Sequence, residues 1–408
     1  GPFEYTPNCE VRFPSKVIKS LGGLVEEHAR IFSKFVPENK EGNKQAYQYC
    51  IRMTGGNVTE PFFQVDIAGL SQEFLIGASA TSVEEIKATL RGRIFEFEPS
   101  IAMYGLIEAL GGGGSLCIKF REQLDMIRAE HNMPIVLLAP TNEKHEAMRE
   151  TEFGKVDPQI LTSGEVKQIS GFDALWGPGE FREHLKQREQ CKCLLYVRSS
   201  DPISQLIDPR LRVSNPLLED PNMRAIIREN AITLNIDDPK WSIGDPRRIK
   251  DSKAALPLMG MGFRVDSMSD VFVADESRKL VVTDEFNEFM NSHGLTQLSL
   301  FRAKPIQGVF GGYGQKTMNF LDHSNIGWLE KMLNLRGPYV IQPEIEPLIV
   351  TDRSVRKSFA VMDRAFFSMV EGAPAFLGGV RILIPLDSGE AQRRRLHGTR
   401  KMISVPIL

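Results

Sequence analysis

The sequence lacks three features that would assign a protein class directly: a cysteine framework, a long apolar run and an excess of one charge. Its five cysteines, at positions 9, 50, 117, 191 and 193, are too few and too scattered for a disulfide-stapled fold, and they form no CxxC motif with nearby histidines. This usage is typical of structural thiols in a reducing compartment, and we expect a cytoplasmic protein.

The other two absences bear on the partners. No apolar run approaches the roughly 18 residues that cross a bilayer, and the N-terminal stretch has no basic segment followed by an apolar one. Lys and Arg (50) nearly balance Asp and Glu (52), so no overall field draws the chain to nucleic acid or to an anionic membrane. We therefore expect binding at a local site, with no nucleic acid and no membrane as partner. The sequence leaves a homodimer open.

The pattern of apolar residues predicts three parts within the 408 residues. Residues 1–115 hold two strands of alternating polarity, at 60–70 and 91–100. Residues 116–215 alternate a helix, a buried strand, a helix and a second strand, which is typical of a small parallel α/β unit. Residues 216–408 mix strands at 298–306 and 339–345 with helices at 222–231, 251–262 and 284–294.

A tract of four glycines and a serine, "LGGGGSL", joins the first part to the second. Its composition is that of a flexible linker. It is either a glycine-rich native loop or an engineered replacement for a longer one, and in both cases it indicates a surface crossing.

The stretch "FRAKPIQGVFGGYG" (301–314) carries the first chemical signal. Lys304 lies at the end of a predicted strand, and Gly308, Gly311, Gly312 and Gly314 follow it. Glycines let backbone N–H groups converge on phosphate oxygens, and the lysine adds a positive charge. The stretch matches neither a Walker loop nor a dinucleotide fingerprint. A plain hairpin turn with glycines at positive φ would look the same.

The order of several stretches resembles the circularly permuted ATP-grasp ligases, the family of eukaryotic-type glutathione synthetase and glutathionylspermidine synthetase. The glycine-rich stretch is followed by "YVIQPEIEP" (339–347), as in that family. The resemblance implies an α/β (α+β) ATP-grasp fold, circularly permuted, with the small parallel domain inserted. It also implies ATP-binding residues: Lys304 under a glycine flap that carries the four glycines above, Lys253 in "RRIKDSKAALPLM", and the hinge residues Gln342, Pro343 and Glu344.

The permutation implies that the metal carboxylates lie near the N-terminus. "FFQVDIAGL" resembles the strand that ends in a metal-ligand aspartate, here Asp66, and "RIFEFEPSIAMYG" resembles the ExN segment, here Glu96 and Glu98. Oxygen ligands of this kind suit Mg²⁺. "CLLYVRSSDP" resembles the strand whose arginine holds a substrate carboxylate, here Arg198. "FLGGVRIL" resembles the returning GG-x-R strand, with Arg381 as a phosphate contact.

The sequence also departs from the family pattern. A glutamate expected inside the glycine loop is absent from 308–310, the arginine expected two residues before Asp66 is Gln64, and Glu98 occupies the asparagine position. Ordinary structural roles are also open for the other residues. Asp66 could cap a strand, the two glutamates could form a solvated strand face, Arg198 could pair with Asp201, and Lys253 could face solvent.

The resemblance implies an ATP-dependent carboxylate–amine ligase that makes an amide through an acyl phosphate. ATP and Mg²⁺ would be its cofactors, and its substrates would be a small-molecule or peptide carboxylate and an amine acceptor. The alternative is a catalytically weakened ATP-grasp protein that serves as a nucleotide- or protein-binding module, which the missing loop carboxylate favours. The sequence does not name the substrates, because a fold does not identify its ligand.

Overall fold

The fold is mixed α/β, with mostly antiparallel sheets and few helices. The computed structural model describes residues 3–5, 10–33, 62–98, 115–131, 135–138, 174–176, 193–197, 211–213, 232–233, 242–243, 256, 259–305, 314–352, 356–369, 373–386 and 402–408. Within these ranges no helix is long and apolar enough to cross a membrane.

The elements of the first half run in chain order from the N-terminal strand to a series of short strands. They are β1 (Phe3–Tyr5), α1 (Ser15–Ser33), β2 (Phe62–Ala68), α2 (Gln72–Gly77), α3 (Val83–Arg91), β3 (Ile94–Glu98), α4 (Ser115–His131), β4 (Ile135–Leu138), β5 (Ala174–Trp176), β6 (Cys193–Val197), β7 (Leu211–Val213), β8 (Ile232–Thr233) and β9 (Ser242–Ile243).

The second half contains two further helices and the longest strands. Its elements are β10 (Phe263–Val265), β11 (Phe272–Ala274), β12 (Leu280–Val282), α5 (Asp284–Ser292), β13 (Phe301–Pro305), β14 (Lys316–Met318), α6 (His323–Arg336), β15 (Tyr339–Pro343), β16 (Leu348–Asp352), β17 (Lys357–Ser368), β18 (Ala375–Pro385) and β19 (Met402–Ile407).

A seven-stranded sheet joins the two ends of the chain. Its order is β1-β19-β18-β17-β2-β3, and β16 pairs with the other part of β17. All pairs are antiparallel except β1 with β19. The strands at 62–98 therefore lie in one sheet with the strands at 348–407, although more than 240 residues separate them in sequence.

One face of this sheet packs against α1, α2 and α3 and forms the first core. Alternate residues of β2 (Phe63, Val65 and Ile67) are fully buried there, as the period-two alternation predicts. Helix α3 begins with a capping box, in which the Ser82 hydroxyl accepts from the Glu85 amide and the Glu85 carboxylate accepts from the Ser82 amide. We call this sheet with its helices the first unit.

The second unit is a four-stranded antiparallel sheet in the order β10-β15-β13-β14, packed against α5 and α6. Its core holds a group of aromatic rings, among them Phe286, Phe301 and Phe320, with centroids 4.9 to 6.0 Å apart. Such tilted contacts are the favoured geometry for buried aromatic pairs. The predicted strands at 298–306 and 339–345 and the helix at 284–294 are confirmed by β13, β15 and α5.

A third sheet, β5-β4-β6-β7, is parallel throughout. It lies in the part of the chain where alternating strands and helices predicted a parallel unit, and α4 forms where the first of those helices was expected. The fold prediction is confirmed to this extent. The predicted helices at 143–154 and 222–231 lie outside the described residues.

The predicted helix over 251–262 is wrong in its described part. The amides of Met259 and Met261 both donate to the Leu256 carbonyl, which closes a turn, and Gly260 has a φ of 69°. Positive φ suits glycine and cannot continue a right-handed helix, and Pro257 in the same stretch has no N–H to donate.

Candidate functional site

Lys304 lies where the two units meet. Residues of β13 alternate between the second core, which holds Phe301 and Ala303, and the opposite face, which holds Arg302 and Lys304. Lys304 is 6% exposed, and its amine donates to the Phe95 carbonyl on β3 at 2.7 Å. The predicted phosphate lysine of the second unit therefore contacts the predicted metal strand of the first.

The predicted metal carboxylates lie in a cross-strand row with an arginine that the sequence analysis did not single out. Asp66 is paired with Glu96 on one side and with Arg364 on the other. Residues directly opposite in antiparallel strands share a face of the sheet. The row Glu96, Asp66 and Arg364 therefore lies on the face opposite to the first core.

Asp66 is held by a buried, two-pronged ion pair. Both its oxygens accept from Arg364, Oδ1 from Nε and Oδ2 from Nη2, each at 2.8 Å, and Oδ1 also accepts from the Gln64 amide at 3.1 Å. Both side chains of the ion pair are under 10% exposed. Asp66 is therefore the counter-ion of a guanidinium. It lies within β2 and pairs with Arg364, so it does more than cap the end of a strand.

The fit of this row to Mg²⁺ follows from the same contacts. The donors are oxygens, the right kind, but three of the roughly four lone-pair positions of a carboxylate are used at Asp66. Glu96 is half-buried beside it, and the side chain of Glu98 lies outside the described residues. Among the described side chains, no group of three or more His, Cys, Asp or Glu could hold a metal ion. Asp66, engaged in this way, does not fit the role of metal ligand that the resemblance implies.

Arg381 lies on the other face of the seven-stranded sheet. Its guanidinium donates to both oxygens of Asp363, at 2.6 and 2.8 Å, and to the Leu70 carbonyl at 2.7 Å. Asp363 and Arg364 are consecutive on β17 and so point to opposite faces. The structure thus separates Arg381 from the row that contains Asp66 and Glu96, and Arg381 stabilises the turn after β2 instead of facing the Lys304 side.

Arg93 supports the same turn. It donates to the Gly69 carbonyl at 3.0 Å. Burial lowers the pKa of its guanidinium from the ordinary value, and the charge of Asp363 acts in the opposite direction. The fully buried Asp363 is thus the counter-charge of two arginines beside this turn, Arg381 by an ion pair and Arg93 by its field.

The glycine-rich stretch connects β13 and β14, which form an antiparallel hairpin. Gly314, at the end of this connection, has a φ of 82°, and its carbonyl accepts from the Tyr339 hydroxyl at 3.1 Å. Burial raises the pKa of Tyr339, and Arg336 opposes that shift. The ordinary hairpin, which was open as the alternative to a phosphate cradle for this stretch, is therefore present. A hairpin does not exclude a phosphate cradle.

Lys316, on the second strand of the hairpin, faces away from Lys304. It pairs with Ala303 and so lies on the second-core side of the sheet, where its amine is 5.2 Å from the centroid of Trp328. This distance is typical of a cation–π contact. The two lysines of the hairpin therefore lie on opposite faces, and only Lys304 faces the first unit.

The predicted hinge is held by polar contacts, those of Glu344 within the second unit and that of Gln342 with a residue of the first core. The Glu344 amide donates to the Leu300 carbonyl at 2.8 Å, and its carboxylate accepts from Arg302 at 3.1 Å and from the Thr317 hydroxyl at 2.8 Å. Gln342 is buried and donates to the Met261 carbonyl at 3.2 Å. Glu344 is thus committed to its own sheet in this structure, as Asp66 is.

A narrow cleft separates the hinge from the first unit. It is lined by residues of both units: Arg91, Gly92, Ile94, Met261, His293, Gln342, Pro343 and Ile345. Its volume is about 10 Å³, close to the minimum that one water molecule requires. A nucleobase would require the two sheets to move apart.

Five predicted site residues lie outside the described residues: Arg198, Lys253, Gly308, Gly311 and Gly312. Two arginines that no sequence motif indicated, Arg302 and Arg364, hold predicted site carboxylates. Arg364 has a detectable signal, because "FAVMDRAFFSM" places Asp363 and Arg364 inside an otherwise apolar strand. Charges in such a strand are costly unless each finds a partner.

Comparison with known proteins adds no family assignment. A scan against protein-family profiles found no match for this chain, and a search of curated proteins found no similar sequence.

Proposed function

We propose that the chain binds ATP between its two units and uses it to join a carboxylate to an amine, as a circularly permuted ATP-grasp ligase. The observation that carries the proposal is the 2.7 Å contact of the Lys304 amine with β3, beside Glu96. The hairpin lysine and the N-terminal carboxylate strands come from distant parts of the chain, and the permuted arrangement requires them to meet.

The sheet order gives a second, independent argument. A permuted ATP-grasp chain needs its early carboxylate strands in the same sheet as its last strands. Here β2 and β3 continue the sheet of β17, β18 and β19. A chance resemblance of short motifs has no reason to produce this order.

The chain's own residues would act mainly by positioning and charge. Lys304 is already desolvated, so its charge would act strongly on a phosphate that replaced the Phe95 carbonyl as its acceptor. Backbone N–H groups of the glycine stretch would hold the same phosphates. Phosphorylation turns a carboxylate into a good electrophile, the amine then attacks the carbonyl carbon, and phosphate leaves. Closure of the two units would keep water from the acyl phosphate.

The test compares two lysines of the same hairpin. Lys304→Met removes a charge from the face toward the first unit, and Lys316→Met removes one from the opposite face. A charge-assisted contact is worth about 1.5 to 3 kcal/mol, so Lys304→Met should weaken ATP binding roughly ten- to hundredfold, while Lys316→Met should leave it within about twofold. Isothermal titration with ATP measures both. Equal effects of the two changes would contradict the proposed phosphate position.

The second candidate is a nucleotide-binding module without catalysis. The observation that favours it is the engagement of Asp66 by Arg364, because a carboxylate that neutralises a guanidinium holds a cation weakly. Trapping of an acyl phosphate with hydroxylamine, using pools of amino acids, peptides and polyamines, separates the candidates. Turnover that falls by orders of magnitude in Glu96→Gln or Glu98→Gln supports the ligase. ATP binding without turnover, unchanged in both variants, supports the module.

A further inference from the structure

Three consecutive backbone carbonyls between the two units each accept a hydrogen bond from a different element. Met259 O accepts from Arg91 Nη1 at 2.8 Å, Gly260 O lies 3.0 Å from His293 Nε2, and Met261 O accepts from Gln342 Nε2 at 3.2 Å. Such a coincidence is unusual, because most irregular segments satisfy their carbonyls with water at the surface. We call residues 259–261 the anchored segment.

The anchored segment belongs to the first unit by its side chains and to both units by its carbonyls. Met259 and Met261 are buried in the first core. Arg91 ends α3 in the first unit, and its other nitrogen pairs with Glu27. His293 caps α5 and Gln342 lies on β15, both in the second unit. The last two bonds therefore tie the units together, and the Arg91 bond fixes the segment to its own side.

The imidazole lies between two backbone carbonyls. His293 Nε2 is 3.0 Å from Gly260 O, and Nδ1 is 2.8 Å from Phe289 O, to which the Ser292 hydroxyl also donates. A carbonyl only accepts, so the bond to Gly260 is made when the proton is on His293 Nε2. Gly260 reaches His293 from a positive φ, which presents its carbonyl to α5.

The same donors line the narrow cleft. Arg91, His293 and Gln342 are three of its lining residues, and Met261 is a fourth. The cleft cannot widen while Gln342 and His293 hold the segment, because these bonds cross it. The two crossing bonds are also individually weak, because each replaces a hydrogen bond that the same groups would make with water.

We propose that the anchored segment is a releasable latch between the two units: breaking the His293 and Gln342 bonds opens the cleft beside the hinge. The latch requires no particular ligand. In it His293, which no sequence motif indicated, controls access to the cleft, and Gln342 holds the closed state.

Hydrogen–deuterium exchange on the full chain, without ligand, tests the latch. His293→Phe keeps a ring against Phe289 but removes the donor, and Gln342→Met keeps the length of the side chain but removes the amide. Loss of one bond of ~1 kcal/mol corresponds to about a fivefold higher population of the open state. We expect exchange to rise by about that factor in 259–265 and 339–345, and to stay unchanged in the central strand 361–368.

Matched controls isolate the effect. His323→Phe and Gln72→Met make the same chemical changes at exposed positions near helix starts and should leave exchange in both segments unchanged. His293→Gln, which restores a donor near the Gly260 carbonyl, should return exchange toward that of the wild type. Because His293 is only half-buried, its variants are expected to fold even if Gln342→Met does not.

Two results would overturn the latch. One is unchanged exchange in 259–265 and 339–345 for His293→Phe, and the other is a rise that is equal in 361–368, which would indicate general destabilisation. Addition of ATP separates this inference from the proposed function. ATP that binds without altering exchange in 259–265 counts against the latch alone, whereas absence of binding counts against the function and leaves the variant comparison decisive for the latch.

Discussion

The buried histidine of α1 makes the stability of the first unit depend on pH. His28 is fully buried, its ring stacks on Phe97 at 4.5 Å with an 8° interplanar angle, and it meets Phe63 edge-on at 5.8 Å. Removal from water penalises the charged imidazolium and lowers the pKa of His28 from 6.5 to about 3. The folded protein therefore carries a neutral ring at every pH at which the unfolded chain begins to bind a proton.

The sign and size of the effect follow from this difference. The pKa of the folded state lies below that of the unfolded state, so the unfolded chain takes up a proton first as the pH falls through 6.5. The contribution of His28 is complete above that pH and is lost progressively toward about pH 3. Each pH unit within the window costs about 1.4 kcal/mol, which amounts to roughly 2 kcal/mol between about pH 7 and about pH 5. Only the pKa of the unfolded chain lies within this interval.

The measurement is a double difference. Urea unfolding of the wild type and of His28→Phe, followed by far-UV circular dichroism at several pH values, gives the free energy of unfolding of each. Phenylalanine keeps a flat ring between the two neighbouring rings, and any cost of its extra size is the same at all pH values. The wild type should lose about 2 kcal/mol more than the variant on acidification from about pH 7 to about pH 5. His323→Phe, at an exposed position, should show no such difference. Parallel pH profiles of wild type and His28→Phe would refute the reasoning.

Two further changes test how the seven-stranded sheet is held together. A Cβ on Gly379 would lie 2.2 Å from the backbone carbonyl of Arg364, so Gly379→Ala should lower the free energy of unfolding by about 1 to 3 kcal/mol, whereas Gly77→Ala, with open space, should not. Asp66→Asn leaves a buried guanidinium without its counter-ion and should cost about 3 to 5 kcal/mol, while Asp125→Asn at the surface should cost almost nothing. Chemical unfolding measures the free energy of unfolding of all four variants. A loss of less than about 1 kcal/mol in Asp66→Asn would contradict the buried ion pair.

Local pattern was sufficient to predict most of the described elements. Alternating polarity located β2 and β3, because side chains of a strand alternate between two faces whatever the strand pairs with. The apolar residues of 298–306 and 339–345 located β13 and β15. Helical spacing located α4 and α5, because residues three and four positions apart share a face of a helix. The prediction failed at 251–262, where apolar residues at helical spacing stand beside a proline and glycines. There the turn chemistry of Gly260 decided the conformation.

The sequence by itself thus determined which residues form strands and which of their faces is apolar, since both depend on neighbours a few positions away. Only the tertiary structure decided which charges meet. Asp66 finds Arg364 at a separation of 298 residues, and nothing in either stretch specifies that partner. Face assignment depends equally on pairing: β2 and β3 shift register between Asp66 and Ile67, and a shift of one residue reverses which side chains share a face. The face of the sheet on which Arg381 lies could not be obtained from its motif either. That face is set by its pairing with Asp363 on the neighbouring strand.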